Sequence, residues 1–184
     1  LISAIVIGIC LAVLIGYRNL PKHGLAKSLN AGAIGSLLAI MNTASEVGYG
    51  NVIASLPGFK SISTALVSIK VGGTPLVSEA VTVTTLAGIT GSASGGMSIA
   101  LDLMAKDWLA WANQIGMSPE ILHRVASMAS GGMDSLPHNG AIITLLAVCG
   151  LTHKQSYPDI FVVTLAKTAV AFFVIAFHLA TGIL

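Results

Sequence analysis

Between Ala80 and Leu101 no side chain carries a charge, yet the second half of that run holds Gly91-Ser92-Ala93-Ser94-Gly95-Gly96. Crossing the hydrocarbon core of a bilayer as a helix takes roughly 20 apolar residues, and this run is long enough. Its glycines and serines work against an unbroken helix. The chain must meet both demands, and apolar surroundings are general along it. Of its 184 residues 54% are hydrophobic and 9% are charged, with a mean hydropathy of +0.88. Soluble domains carry about a quarter charged residues, and so few charges cannot cover the surface of a soluble protein of this size. The expected class is an all-α polytopic membrane protein, with residues 1–184 forming a single membrane-embedded domain. A net charge of +2 is too small to suggest nucleic acid, no basic, aromatic-laced patch accompanies it, and no nucleic-acid partner is expected. Cys10 and Cys149 lie far apart in apolar runs and read as small core residues rather than a disulfide or metal site.

Residues 1–17 are uncharged and rich in Ile, Leu and Val. The start at Leu1, inside an apolar run and without a basic leader, leads us to expect the C-terminal portion of a longer protein. Arg18-Asn19-Leu20-Pro21-Lys22-His23-Gly24-Leu25-Ala26-Lys27 is basic and free of acids, and reads as a cytoplasmic loop. Residues 29–45 are again uncharged, with small side chains that let helices approach closely. Glu46-Val47-Gly48-Tyr49-Gly50-Asn51 then reads as a polar break. Residues 52–59 and 61–71 are too short to span, and Gly72-Gly73-Thr74-Pro75 ends the second piece. Short pieces joined by Gly/Pro breaks predict re-entrant hairpins and discontinuous helices, tolerated in a membrane only inside protein or along a watery cavity.

After Leu101, the charges of Asp102, Lys106 and Asp107 mark an exit to the interface, with Trp108 and Trp111 as headgroup-level anchors. Met117-Ser118-Pro119-Glu120 predicts a helix start with Ser118 as N-cap, and Gly150 predicts a C-cap. Lys154, Tyr157 and Asp159 are expected in a loop, and residues 158–184 in a last spanning helix. Lys167 and His178 in that helix read as snorkelling or bundle-facing side chains.

Ala93-Ser94-Gly95-Gly96-Met97 recurs as Ala129-Ser130-Gly131-Gly132-Met133. Two such breaks meeting at mid-membrane would expose half-helix ends, whose unpaired amides and dipole attract an anion. Paired interrupted segments are the sequence pointer to the binding site of secondary transporters. Candidate substrate-binding residues are therefore Ser92, Ser94, Gly95, Gly96, Ser130, Gly131, Gly132, Ser135, His138 and Asn139. The hydroxyls can donate to a small carboxylate, and the glycines admit close backbone approach; the same residues also serve plain helix packing. Asp134, between two apolar segments, is the first candidate for proton coupling or cation binding, with helix capping as its other reading. Glu46 is the second, with a loop surface as its alternative. His138 can titrate or hold a structural hydrogen bond, and Asn139 can bind or cap. No catalytic residue, cofactor or metal site is expected.

Ile89-Thr90-Gly91-Ser92-Ala93-Ser94-Gly95-Gly96-Met97-Ser98-Ile99-Ala100-Leu101 and Ser127-Met128-Ala129-Ser130-Gly131-Gly132-Met133-Asp134-Ser135-Leu136-Pro137-His138-Asn139-Gly140 resemble the C-terminal half of gluconate-permease (GntP) family transporters. Leu151-Thr152-His153-Lys154-Gln155-Ser156-Tyr157, Glu46-Val47-Gly48-Tyr49-Gly50 and Ser55-Leu56-Pro57-Gly58-Phe59 fit the same family. The resemblance implies an inverted-repeat symporter of the cell (inner) membrane, multi-pass, moving a small organic carboxylate with protons. It also implies a missing N-terminal half, and a homo-oligomer is compatible with it. The gluconate branch has a His-x-Asn-Asp-Ser order where this chain has Asp134-Ser135-Leu136-Pro137-His138-Asn139, which is closer to the β-hydroxybutyrate permease branch. Gluconate, 3-hydroxybutyrate or a related hydroxy-carboxylate is the implied substrate.

The rivals are an intramembrane serine hydrolase and a non-transporting membrane subunit. Asp134, Ser135 and His138 are triad residue types, but a triad is defined by geometry rather than adjacency. The Gly-x-Ser-Gly nucleophile motif of rhomboids fails, because Ser92 and Met128 stand two residues before Ser94 and Ser130.

Overall fold

The computed structural model describes residues 2–16, 24–67, 69 and 73–183. All regular structure among them is helical: α1 Ile2–Gly16, α2 Gly24–Ser55, α3 Pro57–Val67, α4 Pro75–Thr90, α5 Ala93–Gln114, α6 Pro119–Ser130, α7 Gly140–Cys149 and α8 His153–Thr181. Two compact units divide the chain, Leu1–Met41 and Asn42–Leu184. In the first, α1 has no buried residue and displays its Ile, Val and Leu side chains along its whole length. The basic stretch after Tyr17 lies largely outside the described residues, and Gly24–Lys27 already belong to α2.

The second unit is built on α4. Thr74 in extended conformation and Pro75 at the first helical position start it, since proline has no amide to leave unpaired there. Gly91 ends it at φ +68, where a side chain would also run into His138 Cδ2. Most of α4 is buried, with Leu76, Ala80, Val83 and Leu86 in the core beside Trp108, Leu122, Val125 and Ile175.

Ser92 then caps α5, its Oγ accepting from Gly95 N at 3.1 Å. Ala87 faces Gly96 and Ser78 faces Trp108, so α4 and α5 form an antiparallel hairpin. At Gly96 the helices approach so closely that a Cβ would overlap the Ala87 backbone. This is the small-residue packing that membrane helices favour.

α6 starts at Ser118-Pro119 as expected and lies along α4, with Thr84 Oγ1 donating to Ala129 O at 2.9 Å. Residues 131–139 climb the last turns of α4. Gly132 sits against Thr84, Met133 and Leu136 against Gly88, and Asn139 against Gly91. α7 ends at Gly150 in the left-handed conformation, also as expected.

Several expectations need correction. The polar stretch 46–51 does not break the chain: α2 runs through it to Ser55, and the interruption comes at Leu56-Pro57. Tyr49 and Asn51 are tolerated on a helix, whose interior glycines cost about 1 kcal/mol each. Trp108 is no interfacial anchor; it is 2% exposed and its indole N–H donates to Ser78 Oγ at 3.2 Å. Lys154, Tyr157 and Asp159 are helical rather than looped, because Thr152 and Gln155 form a capping box that starts α8 at His153. Cys10 and Cys149 are free and exposed, not core residues.

Of the described helices, α8 alone is long and apolar enough to cross a bilayer; α1, α4 and α7 are apolar but shorter. With 29 residues α8 is about 43 Å long, more than the roughly 30 Å core. Its Phe161, Val162, Val163, Val170 and Phe173 are exposed. Apolar surface of that extent is the mark of a lipid or protein interface.

Candidate functional site

The end of α4 is where the other segments arrive. The last carbonyls of a helix lack intrahelical partners, and the linker after α6 supplies them. His138 Nε2 lies 2.9 Å from Gly88 O, and Asn139 Nδ2 donates to Gly91 O at 2.6 Å. The Asn139 amide is used twice, since its Oδ1 accepts from Ile142 N at 3.1 Å and so caps α7. Thr90 Oγ1 donates back to Leu86 O at 2.8 Å. The C-terminus of α4 and the N-termini of α5 and α7 therefore converge around Gly91. Two of these three ends carry the positive side of a helix dipole.

Beside this junction lies a cavity of about 330 Å³. Thr90, Ser92, Ser94, Gly95 and Ser98 line it from the hairpin, Gly50 and Asn51 from α2, and Asp102 closes one side. Ser92 Oγ and Ser94 Oγ are 3.4 Å apart. Tyr49 meets the His138 ring edge-on, with centroids 6.2 Å apart. The stretch 46–51 thus reaches the site although it is helical. The side chains of Glu46, Asn42 and Thr43 lie outside what is described.

The repeated Ala-Ser-Gly-Gly-Met is used in opposite ways. Residues 93–97 begin a helix, whereas Ala129 and Ser130 end one. Ser94 and Gly95 line the cavity, while Gly96 faces away from it onto Ala87. Ser130 Oγ donates to Ser127 O at 2.9 Å, Gly131 caps α6, and Gly132 packs on Thr84. Ser130 and Gly131 thus finish α6 and Gly132 rests on α4, and none of the three lines the cavity. His138 and Asn139 brace the junction beneath it.

Asp134 and Ser135 form a separate cluster with Lys167 of α8. Lys167 Nζ donates to Asp134 Oδ1 at 2.8 Å and to Ser135 Oγ at 2.6 Å, and Ser135 Oγ lies 3.1 Å from the same carboxylate oxygen. Asp134 is therefore ion-paired rather than a helix cap. As an ammonium held by Asp134, Lys167 has no lone pair with which to take the Ser135 proton, so this is a charge pair and not a serine–lysine dyad. His138 points to Gly88 and Tyr49 instead of joining these residues, and no triad is assembled.

Two residues were missed in the sequence. Lys167 reads there as a snorkelling side chain, and its partner is far away along the chain. Glu79 stands immediately before the uncharged run and is the larger omission: it is 1% exposed, and its Oε2 has neither solvent nor a hydrogen-bond partner among the described residues. An acid directly abutting a long uncharged run was the available signal.

No protein-family profile matches the chain, and no solved structure does. A protein of Bacillus subtilis (strain 168) named "Uncharacterized transporter YxjC" is 54% identical over 180 residues, covering 98% of this chain. This relative, the exposed apolar helix α8 and the inward-facing polar groups of α4 together support a membrane protein. The chain is similar along nearly its whole length to part of a protein named as a transporter, and it spans 38% of that relative.

Proposed function

We propose that the chain is the site-bearing portion of a secondary active transporter that carries a small organic anion together with protons across the cell membrane. The carrying observation is the cavity of about 330 Å³ at the hairpin turn, where Thr90, Ser92, Ser94 and Ser98 gather at the N-terminus of α5. Ligand pockets begin at roughly 300 Å³, so the space suits a small molecule. Hydroxyls and a helix N-terminus favour a carboxylate, against the one charged side chain of the lining, Asp102. The hairpin α4–α5, broken in two residues at membrane depth, is the kind of discontinuity around which secondary transporters place substrate.

The family resemblance adds the substrate class: gluconate, 3-hydroxybutyrate or a related hydroxy-carboxylate. It also adds an inverted-repeat, multi-pass architecture completed by an upstream half. The name of the Bacillus subtilis relative supports transport as such. In this reading Ser92, Ser94 and Gly95 face the substrate, while His138 and Asn139 hold the helix ends that form its floor.

Uptake of labelled gluconate and 3-hydroxybutyrate into proteoliposomes holding the full-length protein, under an imposed pH gradient, tests the reading. Gradient-driven accumulation of one acid is expected, and Ser92→Ala with Ser94→Ala should raise its KM by about tenfold, the value of one to two lost hydrogen bonds. Absence of uptake for every hydroxy-carboxylate would overturn the reading. Peptide cleavage abolished by Ser135→Ala would replace it with the hydrolase.

A further inference from the structure

Among the described side chains of the second unit the best-buried acid is Glu79, 1% exposed at the start of the second turn of α4, the helix against which α3, α5, α6 and α8 pack. It borders a cavity of about 360 Å³ between α4, α5 and α6, walled by Met97, Leu101, Leu109 and Leu122. Oε2 is enclosed and without a hydrogen-bond donor among the described residues. Exposed His123 and Ser127 stand at the outer side of the same cavity. Helices α3, α5, α6 and α8 pack against α4. They carry Asp102, Lys106, Asp107, Glu120, His123, Arg124, His153, Lys154, Asp159, Lys167 and His178, besides Lys60, whose side chain is outside what is described. Among the described ones, His123 shares the cavity with Glu79. Lys167, the cation nearest in role, is engaged by Asp134.

We propose that Glu79 is a proton-binding site, taking up and releasing a proton through the cavity between α4, α5 and α6. The inference rests on the transport reading for what the proton does: it is the ion that accompanies the carboxylate. A carboxylate left charged and unpaired in such surroundings is costly, and binding a proton removes that cost. It becomes a carrier when a conformational change brings water or a cation to it. Asp134 is poorly placed for this task, because its charge is already matched by Lys167 at 2.8 Å and both side chains are partly exposed. The deeper acid, not the ion-paired one, has the chemistry of a carrier.

N,N′-Dicyclohexylcarbodiimide reacts with protonated carboxyls in apolar surroundings and supplies a test that does not depend on transport. Treatment of the full-length protein in proteoliposomes, followed by peptide mapping by mass spectrometry, should place the adduct on Glu79 and not on Asp134. Labelling should slow by up to about tenfold per pH unit once the acid titrates. A water-soluble carbodiimide should leave Glu79 unmodified. In the same vesicles, Glu79→Gln should retain exchange of labelled carboxylate for unlabelled while losing acceleration by a pH gradient. No adduct on Glu79 at any pH, or gradient-driven accumulation preserved in Glu79→Gln, would overturn the proposal. Should Glu79→Gln fail to fold, mapping of the unsubstituted protein decides. If Glu79 is labelled and no carboxylate moves, the transport reading falls while the proton site stands.

Discussion

α4 encloses a glutamate, two serine or threonine hydroxyls bonded to other helices and further threonines, while α8 turns phenylalanine and valine outwards. In a soluble domain the assignments would be reversed. Here polar groups face inwards, where Thr84 finds the Ala129 carbonyl and Ser78 accepts from the Trp108 indole, and the outer surface is left to apolar side chains. The difference teaches that hydrophobicity alone does not decide what is buried in this chain. The interior holds leucines and valines together with polar side chains such as Thr84 and Ser78 that find partners there, whereas α8 leaves large apolar side chains outside.

The comparison breaks most sharply at the tightest contact of the α4–α5 hairpin. Gly96→Val would drive a branched side chain into the Ala87 backbone and should cost about 3 kcal/mol or more. The measurement is thermal unfolding in detergent, read beside Phe173→Ala on the exposed side of α8. A comparable loss from both would mean that α8 is packed against something as closely as α4 is.

Val170→Arg tests the other half. Val170 is an outward position of α8, and where that face meets lipid an arginine should reduce membrane integration by about 2.5–3.5 kcal/mol. The readout is the fraction of full-length protein recovered in washed membranes. Unchanged recovery would mean that this face meets water or protein.

Asn139→Ala removes an α7 cap and the donor to Gly91 together, and should destabilise by about 2 kcal/mol in the same unfolding assay. Asn139→Ser, which keeps a capping oxygen, should recover about half. The smallest effect is expected of Ser78→Ala, which loses one buried hydrogen bond from the Trp108 indole and almost no volume, worth about 1 kcal/mol. A null result there would show that the Trp108 N–H finds another acceptor.

Where local chemistry decides structure, the sequence is legible. Ser118-Pro119 starts α6, Gly150 stops α7, and Gly91-Ser92 separates α4 from α5 as a cap on each side. Where the deciding partner is distant, it is not. Trp108 reads as an interfacial anchor because its neighbours Asp107 and Lys106 are charged, but its partner Ser78 lies on the preceding helix. Asp134 reads as isolated until Lys167 is placed beside it. The Tyr49-Gly50-Asn51 stretch looks like a break by composition, and tertiary support from Thr90 and His138 holds it as helix. Ser92, Ser94 and Gly95 were identified from the break itself and do line one cavity. Ser130, Gly131 and Gly132 share the pattern but lie at the end of a helix rather than its start, where the first two finish α6 and the third packs on Thr84.

Asn139 is followed by Gly140, and an asparagine before glycine is the pairing most prone to lose its amide by cyclising onto the next backbone nitrogen. In the folded protein both ends of that amide are engaged, one by Gly91 and the other by Ile142, so the side chain is held back from the attack. When the junction opens, the restraint goes. Deamidation would then put a carboxylate oxygen against the Gly91 carbonyl, where a donor had been, and the helix ends could no longer close as before. Isoaspartate at this one position would then mark molecules whose junction has stood open.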